Sequence, residues 1–338
     1  MFYRGCPSVV SVNKSTRPTT LYRYRPLGSD LVKRELDAIF SSYLYAPRFD
    51  QMNDPMEAMI EYPAEDRFAF LMPKDFLEFS KKTLSGTAAT AKKSSLISMS
   101  STHLDYPLWA YYASNFAGFC LEFDTQELAL GDLQETPLLP VVYDSSAPPQ
   151  LTFELIAISE TMDLITKRLM QKRQEWQHEK EWRYLAGKEG RKLYTDPALK
   201  RIYLGPRITQ KTKARILHKM KNRPVEIYQG SVQGLEVEFK CIQESAPWSE
   251  CERTGAGKFD PQLIRSCEDE LRAVLGDKFN VLEKKCRELS EHPNLEQIDE
   301  IRVTDGKTIV CVTGTYRLRG GHDVSASHWF DADMNRLP

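Results

Sequence analysis

The spacing of apolar residues changes repeatedly along this chain, and no other feature constrains its fold as strongly. The segment TLYRYR, Thr20 to Arg25, alternates as a β-strand does, whereas residues 30–40 place apolar side chains at helical spacing. Similar changes continue to the end of the chain. They predict an α+β protein with a mixed, mostly antiparallel sheet and flanking helices.

The same reasoning predicts the other elements. Strands are expected at Tyr43 to Ala46, Ser95 to Ser100, Gly118 to Phe123, Pro137 to Tyr143, Arg201 to Leu204, Val225 to Tyr228 and Leu235 to Lys240, and helices at Lys74 to Leu84, Tyr106 to Phe116 and Thr209 to Lys221. The segment Gly86 to Lys93 is rich in Gly, Ala, Thr and Lys, which indicates a mobile loop. Phe153 to Tyr184 begins as a long helix and becomes extended at EWRYLA.

The chain divides into four segments. Residues 1–19 are expected to be flexible, and residues 20–243 form the main α+β domain. Residues 244–258 contain Pro and Gly and few apolar residues, which predicts a linker. Residues 259–338 read as two helices followed by three strands, a small two-layer ααβββ domain for which binding a protein partner is the default expectation.

Composition narrows the class of protein. The chain has 338 residues, and none of its segments reaches the ~18 apolar residues that a membrane-spanning helix needs. Met1 to Thr20 lacks the apolar core of a secretory signal. The seven cysteines include no CxxC pair and no zinc spacing, which favours reduced thiols in a cytoplasmic protein and predicts no metal.

Positive charge is concentrated in one part of the chain. The net charge is −1, yet between Asp163 and Arg223 there are 18 Lys and Arg against 6 Asp and Glu. A basic segment that also contains aromatic residues can bind an anionic partner such as nucleic acid. The candidate contacts are Lys172, Arg173, Lys211 and Lys213. The alternative is an ordinary solvated helix surface.

The segment EKEWR combines charge with a large aromatic side chain. If it is extended, Glu179, Glu181 and Arg183 project to one face and Trp182 to the other. A carboxylate on such a strand can orient a hydroxyl or stabilise a cationic transition state. If a helix continues through the segment, Glu179 and Arg183 form only a surface pair. We favour the strand.

Two other polar segments are candidates for a site. In the first strand Arg23 and Arg25 share one face, where either could contact a phosphate or carboxylate, or form a salt bridge with Glu181. In FDQMNDPME, Asp54 and Glu57 could be metal ligands, although a charge pair at a helix N-terminus is favoured. The chain contains no P-loop, GxSxG, HExxH, EF-hand or GxGxxG motif.

Several of these segments occur in an order that resembles a known family. LYRYR, YLYAPRFDQMNDPME, LWAYYASNFAGFCLEF, HEKEWRYL and RIYLG are similar to the motifs of the bacterial domain-of-unknown-function family 2971 over about residues 20–240. The chain departs from that pattern at Ala110, Tyr111 and Tyr112, where the family often has a small polar residue and His. The C-terminal domain lies outside the resemblance.

The layout also resembles ADP-ribosyltransferase-like folds, including the DNA-modifying toxin type. That resemblance implies an NAD-consuming enzyme, a toxin or anti-phage defence effector, that acts on nucleic acid or another anionic acceptor. It implies that Arg23 or Arg25 holds NAD, that Tyr45 and Asn53 frame the nicotinamide, and that Glu181 hydrogen-bonds the ribose 2′-OH. Further NAD contacts are implied for Tyr24, Asp54 and Arg183.

Two other functions remain open at this point. The basic segment is also typical of a non-catalytic module that binds nucleotides or nucleic acid. A metal-dependent nuclease would rest on Asp54, Glu57 and Glu181, which have no recognised spacing.

Overall fold

The computed structural model describes residues 17–28, 30–54, 56, 57, 73–146, 161–304, 306 and 308–337. Its contacts divide the chain into two compact units. The first unit contains residues 45–100 and 136–190, together with residue 17. The second unit contains residues 18–44, 101–135 and 191–338. Each unit therefore draws on separate stretches of sequence, and the residues predicted as a linker, 244–258, lie within the second.

Strands and helices are interspersed along the chain, which ends in three helices followed by three strands. The strands are β1 Thr20–Arg25, β2 Tyr43–Ala46, β3 Leu96–Ser100, β4 Phe119–Asp124, β5 Leu138–Pro140, β6 Val142–Tyr143, β7 Gln171–Lys172, β8 Glu181–Leu185, β9 Gly190–Leu193, β10 Leu199–Leu204, β11 Glu226–Gln233, β12 Glu236–Gln243, β13 Leu295–Val303, β14 Val310–Arg317 and β15 Asp323–Phe330. The helices are α1 Val32–Phe40, α2 Lys74–Lys93, α3 Tyr106–Tyr112, α4 Thr125–Leu128, α5 Thr161–Leu169, α6 Gln210–Met220, α7 Gln262–Arg265, α8 Glu268–Leu275 and α9 Phe279–Ser290.

The first unit is built on an antiparallel arrangement of β3, β8 and β5, with β8 in the middle. The short strands β6 and β7 pair in parallel beside it. Phe49, Leu96, Ile165 and Leu169 form its apolar cluster together with Ala91 at the end of α2. These side chains come from segments far apart in sequence, so the burial of their apolar surface ties those segments together, while β8 is held by its pairing with β3 and β5.

The second unit contains a five-stranded mixed sheet in the order β12, β11, β10, β4 and β1. Only β10 and β11 run parallel, and the other neighbours are antiparallel. Leu21, Leu121, Ile202 and Ile227 fall on one face by register, and that face is buried. The opposite face carries tyrosines and charged residues, as the alternation of a strand requires.

A tight corner joins α3 to β4 in the second unit. Ser114, Asn115 and Phe116 follow the helix in the left-handed region, with φ of 48°, 51° and 66°. A Cβ at Gly118 would lie 2.2 Å from the carbonyl oxygen of Arg25, so only glycine fits there. The helix predicted to reach Phe116 therefore ends at Tyr112.

The C-terminal part of the second unit is a separate three-stranded antiparallel sheet, ordered β13, β14, β15. The helices α7 to α9 pack on it through a cluster that includes Leu271, Leu282, Val312 and Tyr316. The two predicted helices are present, although the first is interrupted between Arg265 and Glu268.

The predicted fold class is confirmed: the chain is α+β, with a large mixed sheet, flanking helices and a small antiparallel C-terminal sheet. The loop predicted at Gly86 to Lys93 is wrong, because α2 continues to Lys93. Its alanines and lysines are good helix formers, and Leu84, Ala88 and Ala91 bury one face. The start predicted for the long helix, Phe153, lies outside the described residues. The described part of this helix is α5, Thr161–Leu169.

Candidate functional site

The strand β8 begins where the sequence indicates an abrupt change of backbone. Residues Gln174–Glu179 form a 3-10 helix, and Lys180 adopts a left-handed conformation with φ of 45°. Extended structure starts at Glu181. The prediction of a strand at EKEWR is therefore confirmed for Glu181 and Arg183, which share one face, whereas Glu179 precedes the strand.

Arg183 is the centre of a buried ion network in the first unit. Its side chain is 0% exposed. Its Nε and Nη2 donate to the two carboxylate oxygens of Glu181 at 2.8 and 3.0 Å, and Nη2 also donates to Glu57 at 2.5 Å. Nη1 donates to the carbonyl oxygen of Leu169 at 2.6 Å. A guanidinium is suited to such a position because its planar fork matches a carboxylate.

Lys172 is the second cation of this network. Its ammonium lies 3.0 Å from Glu181 and 3.3 Å from Glu57, and it also donates to Glu179. The ring of Trp176 lies 5.4 Å from the same nitrogen. We define the ion network as Glu57, Lys172, Glu179, Glu181 and Arg183. It holds two cations and three carboxylates, all with side chains no more than 6% exposed.

The network keeps Glu181 ionised. Burial alone would raise the pKa of this carboxyl, but Arg183 and then Lys172 outweigh burial and lower it to about 2. Burial likewise opposes the charge of Lys172, yet Glu181 and Glu57 raise the pKa of its ammonium. The backbone N–H of Glu181 donates to the Tyr143 hydroxyl at 2.7 Å. Burial raises the pKa of Tyr143 to about 12, so this hydroxyl stays neutral.

The structure corrects the expectation for Lys172 and leaves its neighbour at the surface. Lys172, expected to contact nucleic acid, is instead 6% exposed, because three carboxylates enclose its ammonium and compensate the cost of burying its charge. Arg173 is exposed and pairs with Glu175 at 2.6 Å. Glu57 joins the ion network.

The residues expected to frame nicotinamide lie in an exposed part of the same unit. The Tyr45 hydroxyl donates to Glu189 at 3.0 Å. Asn53 is exposed, and Asp54 accepts the Met56 N–H at 2.9 Å in a turn. Within the described part of the chain, no three His, Cys, Asp or Glu residues are arranged to hold a metal ion.

The remaining predicted residues belong to the second unit. Arg25 forms a two-pronged pair with Glu35 at 2.6 and 2.7 Å. Arg23 is buried, and burial followed by the charge of Arg25 lowers the pKa of its guanidinium to about 9. The Tyr24 hydroxyl donates to the carbonyl of Thr102 at 3.0 Å. Lys211 and Lys213 lie on α6.

A second polar cluster, not foreseen in the sequence, occupies the tyrosine face of the mixed sheet. Tyr22, Glu122, Arg201 and Glu226 stand opposite one another on four neighbouring strands. Arg201 bridges the two carboxylates, at 3.0 Å to Glu122 and 2.6 Å to Glu226. The only sequence signal was an acidic residue, Glu122, in the otherwise apolar strand GFCLEF.

One comparison with known proteins gave a match. A protein-family model described as "Protein of unknown function (DUF2971)" matches residues 108–184. No curated protein and no solved structure matches the chain significantly. No helix in the described ranges combines the length and apolar character needed to cross a membrane. The part of the chain that carries Glu122, Lys172, Glu181 and Arg183 is therefore similar to a family of unknown function.

Proposed function

We propose that this protein is an NAD-consuming, ADP-ribosyltransferase-like enzyme in which Glu181 is the catalytic carboxylate. The observation that carries the proposal is the state of Glu181. Glu181 lies at the start of strand β8, and its carboxylate is ionised. Lys172 and Arg183 hold this carboxylate in place through ion pairs. A fixed carboxylate of this kind can accept a ribose hydroxyl and stabilise the positive charge that develops as nicotinamide leaves.

Substrate access sets a geometric requirement for this chemistry. Glu181 is only 5% exposed, so a ribose hydroxyl must displace one of its present partners. Lys172 is the partner that can be given up, because Glu57 and Glu179 would still compensate its charge. Arg183 would stay bound to Glu181 and keep the carboxylate ionised.

Tyr45 and Asn53, expected to frame the nicotinamide, remain part of the proposal. Tyr45 and Asn53 belong to the same unit as Glu181, and Tyr45 is 42% exposed. A phenol and an amide at an accessible position suit the edge and the carboxamide of a nicotinamide ring. The acceptor we propose is nucleic acid or another anionic molecule, in the setting of a toxin or anti-phage effector.

The test measures NAD loss and nicotinamide release by purified protein, with and without nucleic acid as acceptor. Glu181→Gln removes the charge but keeps the shape, and we expect the rate to fall by about 100-fold or more. Glu175→Gln is the matched control, because this carboxylate is exposed in the adjoining 3-10 helix and should leave the rate unchanged. Unchanged NAD in every mixture with the natural protein would overturn the proposal.

A second candidate function, a non-catalytic nucleic-acid-binding module, is favoured by the surface of α6. This helix carries Lys211, Lys213, Arg215 and Lys219 and no acidic residue. Replacing Lys211 and Lys213 by Gln should weaken nucleic-acid binding and reduce its dependence on salt by about one counterion for each lysine replaced. Arg287→Gln on α9, whose arginine is paired with Glu283, is the control. Tight, salt-dependent binding without NAD turnover would select this function.

A further inference from the structure

The tyrosine face of the mixed sheet combines aromatic rings with an excess of negative charge. We define the aromatic face as Tyr22, His103, Glu122, Arg201, Tyr203 and Glu226, with Tyr228 at its edge. Among the groups in direct contact, Glu122 and Glu226 carry two negative charges against the one positive charge of Arg201, while the exposed Lys200 acts on Glu226 without a direct ion pair. This imbalance lies on a sheet surface where the Arg201 side chain is 40% exposed and Glu226 27% exposed.

Rings surround these charges closely. His103 stacks on Tyr203 with centroids 4.5 Å apart and planes 18° apart. Tyr22 lies 5.1 Å from His103, and Tyr228 lies 5.3 Å from Tyr203. The electron-rich faces of such rings attract cations, most strongly where water is excluded.

Hydrogen bonds fix the carboxylates of this face in place. The Tyr203 hydroxyl donates to Glu122 at 2.6 Å, and the Tyr228 hydroxyl donates to Glu226 at 3.0 Å. Burial, then Glu122, raises the pKa of Tyr22 to about 12, and burial raises the pKa of Tyr203 as well. The phenols therefore stay neutral at physiological pH. Burial also lowers the pKa of His103, so this ring adds no positive charge.

The face already holds one flat organic cation of its own. The Arg201 guanidinium lies 5.9 Å from the ring of Tyr228 and between the two carboxylates. An added anion would meet both carboxylates, whereas an added cation would balance the remaining negative charge. A small inorganic cation would gain little from the rings, because its hydration is strong. A weakly hydrated organic cation gains from both the rings and the carboxylates.

We propose that the aromatic face binds a weakly hydrated organic cation, either a quaternary ammonium or a pyridinium group. The inference is independent of the NAD chemistry proposed for Glu181, because it concerns other residues and needs no turnover. If a pyridinium binds and a quaternary ammonium does not, the ligand carries a positively charged aromatic ring. If a quaternary ammonium binds, the ligand is a methylated amine.

The first experiment compares cations with neutral molecules of nearly the same shape, by calorimetric titration of the full-length protein. Choline is compared with 3,3-dimethylbutan-1-ol, and 1-methylnicotinamide with nicotinamide. We expect at least one cation to bind about tenfold tighter than its neutral counterpart. Equal affinity within both pairs, or no binding of either cation at millimolar concentration, would overturn the proposal.

Variants then locate the site. Glu226→Gln and Tyr228→Leu should each weaken cation binding by about tenfold, because they remove a charge and a ring that the cation contacts. Glu238→Gln is the matched control, since this exposed carboxylate lies on the neighbouring strand β12 and points to the opposite sheet face. Unchanged cation affinity in both site variants would refute the location. Circular dichroism confirms that each variant is folded, and the comparison of ligands remains decisive if one is not.

Failure of this proposal is distinguishable from failure of the proposed NAD chemistry. Cation binding is measured by titration without any reaction, and NAD loss is measured through Glu181→Gln. Either result stands without the other.

Discussion

The side chain of Arg183 is 0% exposed, so its guanidinium depends on neighbouring protein groups to replace the hydration that it lost on burial. A charge taken out of water costs several kcal/mol unless neighbouring groups replace the lost hydration. Here Glu57, Glu181 and a backbone carbonyl do so. The dependence is mutual. Without Arg183, the three buried carboxylates of Glu57, Glu179 and Glu181 would have Lys172 as their one remaining cation within the network.

Arg183→Met should be strongly destabilising for this reason. Methionine fills a similar volume but leaves the carboxylates of Glu57 and Glu181 short of positive charge, and we expect a loss of about 3–5 kcal/mol in the free energy of unfolding. Denaturant unfolding measures this value. Arg173→Met is the control, because Arg173 pairs with Glu175 at the surface and should cost less than about 1 kcal/mol. Similar losses for the two variants would contradict a stabilising role for the buried network.

Acid should weaken the fold through Glu181. Its pKa is about 2 in the folded protein, against an ordinary value of 4.5, because Arg183 and Lys172 overcome the effect of burial. A lowered folded pKa contributes stability that is complete above about pH 4.5 and is lost as the pH falls toward 2. Unfolding free energies measured from pH 5 to 2 should therefore fall more steeply for the natural protein than for Glu181→Gln. Parallel curves would show that Glu181 is not held ionised.

At the scale of elements, local pattern predicted structure well wherever a segment buries one face. The alternation of TLYRYR placed β1 at Thr20–Arg25, and the charged run at EKEWR placed β8 with Glu181 and Arg183 on one side. Pattern failed for residues 86–93, because glycine and threonine indicated a loop while packing of Ala88 and Ala91 imposed a helix. Burial of these alanines adds to the helix propensity of alanine and lysine in this segment.

Gly86→Ala tests that correction. Gly86 lies inside α2, is exposed, and has no atom within 4 Å of a Cβ built on it. Alanine should raise the free energy of unfolding by about 0.5–1 kcal/mol. Gly234→Ala, at a φ of 63° in the turn between β11 and β12, should lower it. No gain at Gly86 would indicate that this part of α2 is not helical in solution.

At the scale of the whole molecule, the second unit joins the C-terminal residues to much earlier ones. Buried Glu127 pairs with His292 at 3.1 Å and with Arg336 at 3.0 Å. Buried Asp196 binds Arg223 at 2.8 Å and Arg319 at 2.7 Å. Most of these pairings link residues more than a hundred positions apart, and no periodicity in a single sequence reveals them. The ion network escaped sequence reasoning for the same reason, since Glu57 and Lys172 carry no local signal of their partnership.

Deleting residues 259–338 should therefore destabilise the rest of the second unit. Glu127 would lose its partners His292 and Arg336, and Asp196 would lose Arg319. An uncompensated buried carboxylate costs about 3–5 kcal/mol. Thermal unfolding of a chain that ends at Lys258, followed by circular dichroism, should show a lower midpoint than the full chain. An unchanged midpoint would show that residues 20–243 fold without this contribution.

The row of Tyr22, Glu122, Arg201 and Glu226 has a consequence for folding as well as for binding. These residues are widely spaced in the chain and become neighbours only when β1, β4, β10 and β11 have paired. An unfolded chain offers no equivalent arrangement. Any molecule that occupies the aromatic face must therefore stabilise the native state by an amount that grows with its concentration. Binding of such a molecule therefore reports that these four strands have paired. A small ligand of this kind should also restore folding to variants whose strands pair too weakly.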